Sequence, residues 1–273
     1  MLRINKAATC VKWSPNEKKF AVGCGHRCIC ICYFEESQCF WVAKHIKKQI
    51  RSTTLCLDWH PNNALIAAGG SDFKCRIFVA YVPEVDGEKP QATPWGTSLK
   101  PADCIAEFSA ANHGWVHSCS FNFSGNVLAF VAHDSCVYMV NAAQNNKEVV
   151  SLRTPFLPFL SFKFITETVG IAAGHDCYPI TFSVDGSGIK MLDKLQVCGA
   201  AKAPTGATSA MDLFNRLDRS RQDKSSTQSQ TIHQNSIKQI NVYRMADNSN
   251  VSHVTTCGLD GNVVLWDLKV NIF

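Results

Sequence analysis

Hydrophobic and polar positions along this chain repeat as a frame about forty residues long, rather than as one short period. The segments TCVKWSPNEKKFAVGCGHRCICI (9–31) and LCLDWHPNNALIAAGGSDFKCRI (55–77) both show it. Each runs apolar-x-aromatic-x-Pro, then a polar turn, an apolar stretch closing on small residues and Gly, a second turn, and another apolar stretch. Trp13 aligns with Trp59, Pro15 with Pro61, Gly23 with Gly69, and His26 with Asp72. A third copy, CSFNFSGNVLAFVAHDSCVYMV (119–140), puts Phe121 in the tryptophan place and Asp134 in the turn. A fourth (160–182) carries Phe162 and Asp176, and a looser fifth (237–270) carries Asp260 before the dipeptide Trp266-Asp267. Short apolar runs bounded by turn residues predict strands, and almost no segment has helical spacing.

The turn positions 26, 72, 134, 176 and 260 lie 46, 62, 42 and 84 residues apart. The two compact intervals match the ~40–45 residues of a four-stranded propeller blade. The longer ones therefore carry insertions. One, at 83–103, is rich in Pro, Gly and charge and is expected as an extended loop. The other, at 199–235, is small and polar and is expected to be mostly disordered, apart from an apolar island. The predicted fold is all-β: one WD-repeat β-propeller domain over 1–273 with five repeats.

Turn chemistry fits that fold. Asp72, Asp134, Asp176 and Asp260 can fix the tight turn between two strands by accepting backbone N–H bonds. In the last copy His233, Thr256, Asp260 and Trp266 have the types and order of a network that pins propeller blades. Only that copy retains the Trp-Asp ending.

Composition adds limits rather than direction. With 46% apolar and 18% charged residues the chain is expected to bury a core. No apolar run is long enough for an export signal or a membrane span, so a cytoplasmic location and reduced thiols are expected for the 14 cysteines. A net charge of +5 suits an acidic protein partner and falls short of a dedicated nucleic-acid binder.

Motifs for catalysis are missing: there is no GxxxxGK[ST], GxSxG, HExxH or paired CxxC. The recurring aspartates, and GHDC at 174–177, are better explained as turns than as acid, base or nucleophile. The cysteine-rich GCGHRCICICYF (23–34) invites a zinc reading through Cys24, His26 and Cys28. Residues two apart on a strand nevertheless project in parallel at ~6.5–7 Å, which favours packing. Asn122-Phe123-Ser124 and Asn250-Val251-Ser252 match the glycosylation pattern but have no secretory context. No enzyme activity, cofactor or metal is expected.

Two features suggest partners. In the second insertion Ser209 and Asp212 form a start resembling a capping box, and Met211, Phe214 and Leu217 follow at helical spacing beside Leu213. A short amphipathic helix near 210–218, flanked by polar linker, is marginal alone and suited to a partner's groove, or else docks back on its own propeller. Lys44, Lys47, Lys48 and Arg51, with His45 and Trp41 near them, form a basic cluster. It could meet phosphates, bases or acidic protein surfaces, or be a solvated face.

Several longer stretches are more specific. RINKAATCVKWSPNEKKFAVGCG, CYFEESQCFWVAKHIKKQIRSTTLCLDWHPN, DFKCRIF, TPWG, AAGHDC and GLDGNVVLWD together resemble WD-repeat subunit 1 of the actin-related protein 2/3 complex, from about Leu2 to Asp267. The resemblance implies a non-enzymatic scaffold in a complex that nucleates branched actin filaments. The implied partners are the other subunits, the actin filament and nucleation-promoting factors, with no nucleic acid and no membrane span. It further implies that Met211, Leu213, Phe214 and Leu217 reach toward actin, and it inclines the basic cluster toward a protein partner. A generic propeller adaptor, such as a substrate receptor or RNA-associated module, is the other reading. Family members have seven blades, and this chain opens at the strand before the family's third repeat. An open arc with apolar blade faces at each end is therefore expected.

Overall fold

The computed structural model describes residues 6–97, 99–144, 147–185, 188–195 and 231–268. The five sequence repeats form five antiparallel sheets. The first joins β1 (Ala8–Trp13), β2 (Lys19–Cys24), β3 (Cys28–Glu35) and β4 (Phe40–Ile46) in sequence order. The second joins β5 (Thr54–Trp59), β6 (Leu65–Gly70), β7 (Lys74–Val79) and β8 (Cys104–Ser109). The third consists of β9 (Val116–Phe121), β10 (Val127–Ala132), β11 (Cys136–Asn141) and β12 (Val149–Arg153), and the fourth of β13 (Phe159–Phe164), β14 (Val169–Gly174), β15 (Ile180–Asp185) and β16 (Gly188–Lys194). The fifth has three strands among the described residues: β17 (Ile237–Met245), β18 (Val251–Gly258) and β19 (Val263–Asp267).

The second and third strands of each blade are joined by the same turn. The residue following the repeated turn position has a left-handed backbone in every copy: Arg27, Phe73, Ser135, Cys177 and Gly261, with φ between 56° and 80°. Such a residue reverses the chain in few steps and matches the twist of the flanking strands. The repeat visible in the sequence is thus a repeat of backbone geometry.

Blades pack through their first strands, β1 on β5, β5 on β9, β9 on β13 and β13 on β17. Among the described residues no comparable packing joins β17 back to β1. All five first strands nevertheless line one central cavity of about 380 Å³, bounded by Lys12, Cys56, His117, Cys119, Lys163 and Lys238 among others. Between blades the core is apolar. Ile29, Ile31 and Ile46 of blade 1 meet Leu57, Trp59, Ile66 and Phe78 of blade 2, while Phe130 and Tyr138 of blade 3 join the blade 2 cluster around Val79 and Trp95.

The aromatic position of the repeat shows what this packing does. Trp59 is 6% exposed and its indole N–H donates 2.9 Å to the Lys12 carbonyl of blade 1, and Phe121 and Phe162 are likewise buried. Trp13, their counterpart in the first copy, is 55% exposed. Each aromatic in this position packs toward the preceding blade, and Trp13 has none to pack against among the described residues.

The 83–103 insertion holds more structure than an extended loop. Pro83–Asp86 form one helical turn, with Pro pre-set for the helix start. Trp95 is buried between blades 2 and 3, its indole N–H donating 2.7 Å to the Gly125 carbonyl. An isolated apolar residue inside a Pro/Gly-rich stretch was the available signal. The expected helix at 210–218 lies outside the described residues.

Candidate partner-binding surface

Blade 1 ends in β4, from which the basic cluster extends. Strand alternation divides the cluster from its aromatic neighbour. Lys44 points to the blade 2 side, pairing with Glu84 at 2.6 Å and lying 5.7 Å from the Tyr33 ring centroid. Trp41, an odd number of residues earlier, lies on the opposite face, which fits the period of two. Lys48 sits 3.8 Å from Asp103. Lys47 and Arg51 form no ion pair among the described residues, and Arg51 opens onto a surface cavity of about 580 Å³ lined also by Asp72, Lys74, Arg76 and Glu107. Two of the four basic residues are therefore tied to the 83–103 insertion.

On the other face of blade 1 the register brings Trp13 opposite Phe20 and Phe34 opposite Trp41. Their rings form one patch, with Trp13–Phe20 centroids 5.1 Å apart, Phe20–Trp41 5.2 Å and Phe34–Trp41 5.6 Å. Val11, Trp13, Phe34 and Trp41 remain exposed. At the other end of the arc Tyr243, Val263 and Leu265 of blade 5 are exposed as well. These side chains leave contiguous apolar area uncovered among the described residues.

The cysteines of GCGHRCICICYF lie beside the aromatic patch. Cys28, Cys30 and Cys32 share one face with Val22, while Ile29 and Ile31 pack toward blade 2. Burial pushes the Cys30 and Cys32 thiols up to about 11, and burial together with the Cys24 contact pushes Cys28 higher still. Among the described residues no group of three or more His, Cys, Asp or Glu is placed to hold a metal ion, and every described cysteine is a free thiol.

The repeated aspartates bind their turns by different routes. Asp134 accepts the Cys136 N–H at 3.2 Å and the Tyr138 hydroxyl, and Asp176 accepts the Leu157 N–H at 2.8 Å. Asp72 instead pairs with Arg76 at 2.7 Å, and its Oδ1 is buried without a hydrogen-bond partner. In blade 5 the Trp266 indole N–H donates 2.8 Å to Thr256 Oγ1, which lies 2.7 Å from His233 Nε2, and His233 Nδ1 lies 3.1 Å from Asp260. The Asp260 carboxylate can only accept, so His233 Nδ1–H donates to it, and in the neutral imidazole Nε2 then accepts the Thr256 hydroxyl, whose oxygen accepts from Trp266. Burial raises the Asp260 carboxyl. The backbone N–H groups of Asn262 and Gln234, with His233, outweigh that and hold it well below the usual carboxylate range.

Around the cavity the charged groups are linked between blades. Asp58 of blade 2 accepts the Phe121 N–H of blade 3 at 3.0 Å and pairs with Lys163 of blade 4 at 2.6 Å. On the rim His117 Nε2 lies 2.9 Å from His133 Nδ1, and the His133 and His175 ring centroids are 6.4 Å apart. Burial, then His133, His175 and Lys238, bring His117 down to about 4. Sequence reading missed this row because the three histidines come from separate turns and strands. Among the described residues no helix is long and apolar enough to cross a membrane.

Five blades around one cavity, with left-handed turns in register and a His-Thr-Trp-Asp network closing the last, define a WD-repeat β-propeller. The family model "WD domain, G-beta repeat" matches residues 44–78 and 226–267. The solved structure of U3-55K superposes with a TM-score of 0.63 at 15% identity, covering 98% of this chain and 63% of that one, a likeness of fold alone. Sequence relatives are more specific. The chain is 49% identical to actin-related protein 2/3 complex subunit 1A-B of Xenopus laevis, over 98% of this chain and 72% of the relative. It is 38% identical to subunit 1 of that complex from Schizosaccharomyces pombe (98% and 75%), and 34% identical to subunit 1A from Arabidopsis thaliana (98% and 72%). The chain belongs to the family of subunit 1 of the actin-related protein 2/3 complex.

Proposed function

We propose that this chain is a non-enzymatic scaffold subunit of an actin-related protein 2/3 complex, working in the cytoplasm at the actin cytoskeleton and supporting nucleation of branched filaments. The observation that carries this reading is the 49% identity over 98% of the chain to a named subunit of that complex. The exposed faces of blades 1 and 5 supply apolar area for neighbouring subunits, and Lys47 and Arg51, which form no ion pair among the described residues, supply positive charge for acidic ones. Lys44 and Lys48 serve first to hold the 83–103 insertion. Contact with actin falls to Met211, Leu213, Phe214 and Leu217, which lie outside the described residues, and nucleation-promoting factors are further partners of the assembled surface.

The test is to express the tagged full chain, retrieve its partners, and assay branching by the recovered assembly. Retrieval of actin-related subunits is expected. Combined Phe214→Ala and Leu217→Ala should leave retrieval intact while reducing filament attachment. Retrieval of only unrelated proteins refutes the subunit reading, and unchanged branching by the double variant refutes the actin-contact role.

A further inference from the structure

The wall of the central cavity carries a group of thiols that the scaffold role does not use. On the first strand of a blade, successive side chains point toward opposite neighbouring blades. Cys56 on β5 and Cys119 on β9 are offset by one place in the repeat frame, Cys56 three residues before Trp59 and Cys119 two before Phe121. Their side chains therefore meet between blades 2 and 3, with the Sγ atoms 3.6 Å apart. Cys75 on β7 lies in the same buried cluster. Gly69 makes the room, because a Cβ there would stand 2.5 Å from Cys56 Sγ. Cys56 and Cys119 both border the cavity, whereas Cys24 and Cys28 are not among the residues lining it.

We propose that Cys119 and Cys56 form an oxidisable dithiol, with Cys119 as the thiol that attacks a hydroperoxide and Cys56 as the one that resolves it. The Cys119 thiolate attacks one peroxide oxygen. The S–O bond forms, the O–O bond breaks, and hydroxide leaves and takes up a proton, giving water and a sulfenic acid. Cys56, losing its proton to solvent, then attacks the Cys119 sulfur; the S–S bond forms, the S–O bond breaks, and the departing hydroxide is protonated to a second water. Two thiols and one hydrogen peroxide thus give one disulfide and two waters, sulfur supplying the two electrons that peroxide takes up.

The surroundings select Cys119 over the closer pair on blade 1. Cys24 and Cys28 have Sγ atoms 3.3 Å apart, yet Cys28 is pushed up by burial and then by Cys24 and Cys30, so its reactive thiolate is scarce. Cys119 is brought down by hydrogen bonds from Cys56 and Cys75, with Lys163 acting in the same direction, against burial and Asp58. A thiol with stabilised thiolate, at the wall of a cavity and beside a resolving thiol, is the arrangement of a redox-sensitive pair.

The test treats the native full chain with hydrogen peroxide, blocks remaining thiols with N-ethylmaleimide, digests without reduction and maps cross-links by mass spectrometry over time. A Cys56–Cys119 cross-link, lighter by two hydrogens and reversed by dithiothreitol, is expected to form at least about tenfold faster than any Cys24–Cys28 cross-link. The proposal is overturned if the Cys24–Cys28 cross-link forms first, or if Cys56 and Cys119 stay reduced after the exposed Cys39 is fully oxidised. In folded Cys56→Ala chain, dimedone should label Cys119 as a sulfenic acid, and absence of the label overturns the assigned order of attack. Should that variant not fold, the time course on the unsubstituted chain decides alone.

Discussion

Thr256→Val is the sharpest probe of the network in blade 5. Valine keeps the branched shape and volume of threonine, so the surrounding packing survives and only the hydroxyl is lost. Thr256 is fully buried, and its hydroxyl is bonded by Trp266 Nε1 at 2.8 Å and by His233 Nε2 at 2.7 Å. Both partners are themselves buried, so water cannot replace the missing oxygen. Leaving a buried polar group unpaired costs about 1–3 kcal/mol, so two such groups imply a loss of about 2–6 kcal/mol. For a chain of this size, where about 1 kcal/mol shifts Tm by roughly 2 °C, that corresponds to a fall in Tm of roughly 4–12 °C. Thr256→Ser keeps the hydroxyl and loses a methyl group, which costs about 1 kcal/mol. The assay is urea unfolding of both variants beside the parent, with hydrogen exchange along β18, because blades of a repeat fold can open separately. If Thr256→Val lies within about 0.5 kcal/mol of the parent, or matches Thr256→Ser, the network contributes no net stability and the reasoning fails.

Two further outcomes are expected. Lys19 is buried, donates 3.0 Å to the Ala80 carbonyl, pairs with Asp86 and lies 5.3 Å from the Trp59 ring centroid, so it fastens the Pro83–Asp86 turn to blade 1. Lys19→Met should cost about 3–5 kcal/mol by stranding Asp86, and adding Asp86→Asn should recover part of the loss; urea midpoints that show no recovery contradict this. His117 has a folded pKa of about 4 against 6.5 for the free side chain, so the unfolded chain takes up the proton first. Its contribution is complete above pH 6.5 and lost as pH falls toward 4, at no more than about 1.4 kcal/mol per pH unit and less for a partly exposed ring. His117→Asn should flatten stability against pH in that window, and superimposable profiles would refute it.

The repeat frame made most of the fold legible. Strand order within each blade, the turn after positions 26, 72, 134, 176 and 260, and the two-faced character of Cys28–Phe34 all follow from local pattern, because each blade forms from contiguous chain and alternates side chains with period two. The candidate surface was less legible. Lys44, Lys47, Lys48 and Arg51 form one cluster on paper, yet Lys44 and Lys48 are drawn to Glu84 and Asp103 in an insertion some forty to fifty-five residues away. The odd spacing of Trp41 and Lys44 on a strand was a signal that they face apart. Trp95, embedded in a stretch with every mark of a loop, gave only its own size as a hint.

What the sequence determined alone is the unit: short apolar runs separated by turns, with an aromatic in four copies and an aspartate at the turn in four of the five, each copy specifying a small twisted sheet by local sterics and alternation. Which copies of that unit bury their aromatic was decided only by the tertiary arrangement. Trp13 and Trp59 occupy the same place in the same motif, and one is 55% exposed while the other is 6% exposed. Nothing local distinguishes them, since burial depends on a neighbouring blade that the residue's own strand does not encode. For the same reason Cys56 and Cys119, 63 residues apart, become neighbours only when blades 2 and 3 pack side by side around the cavity.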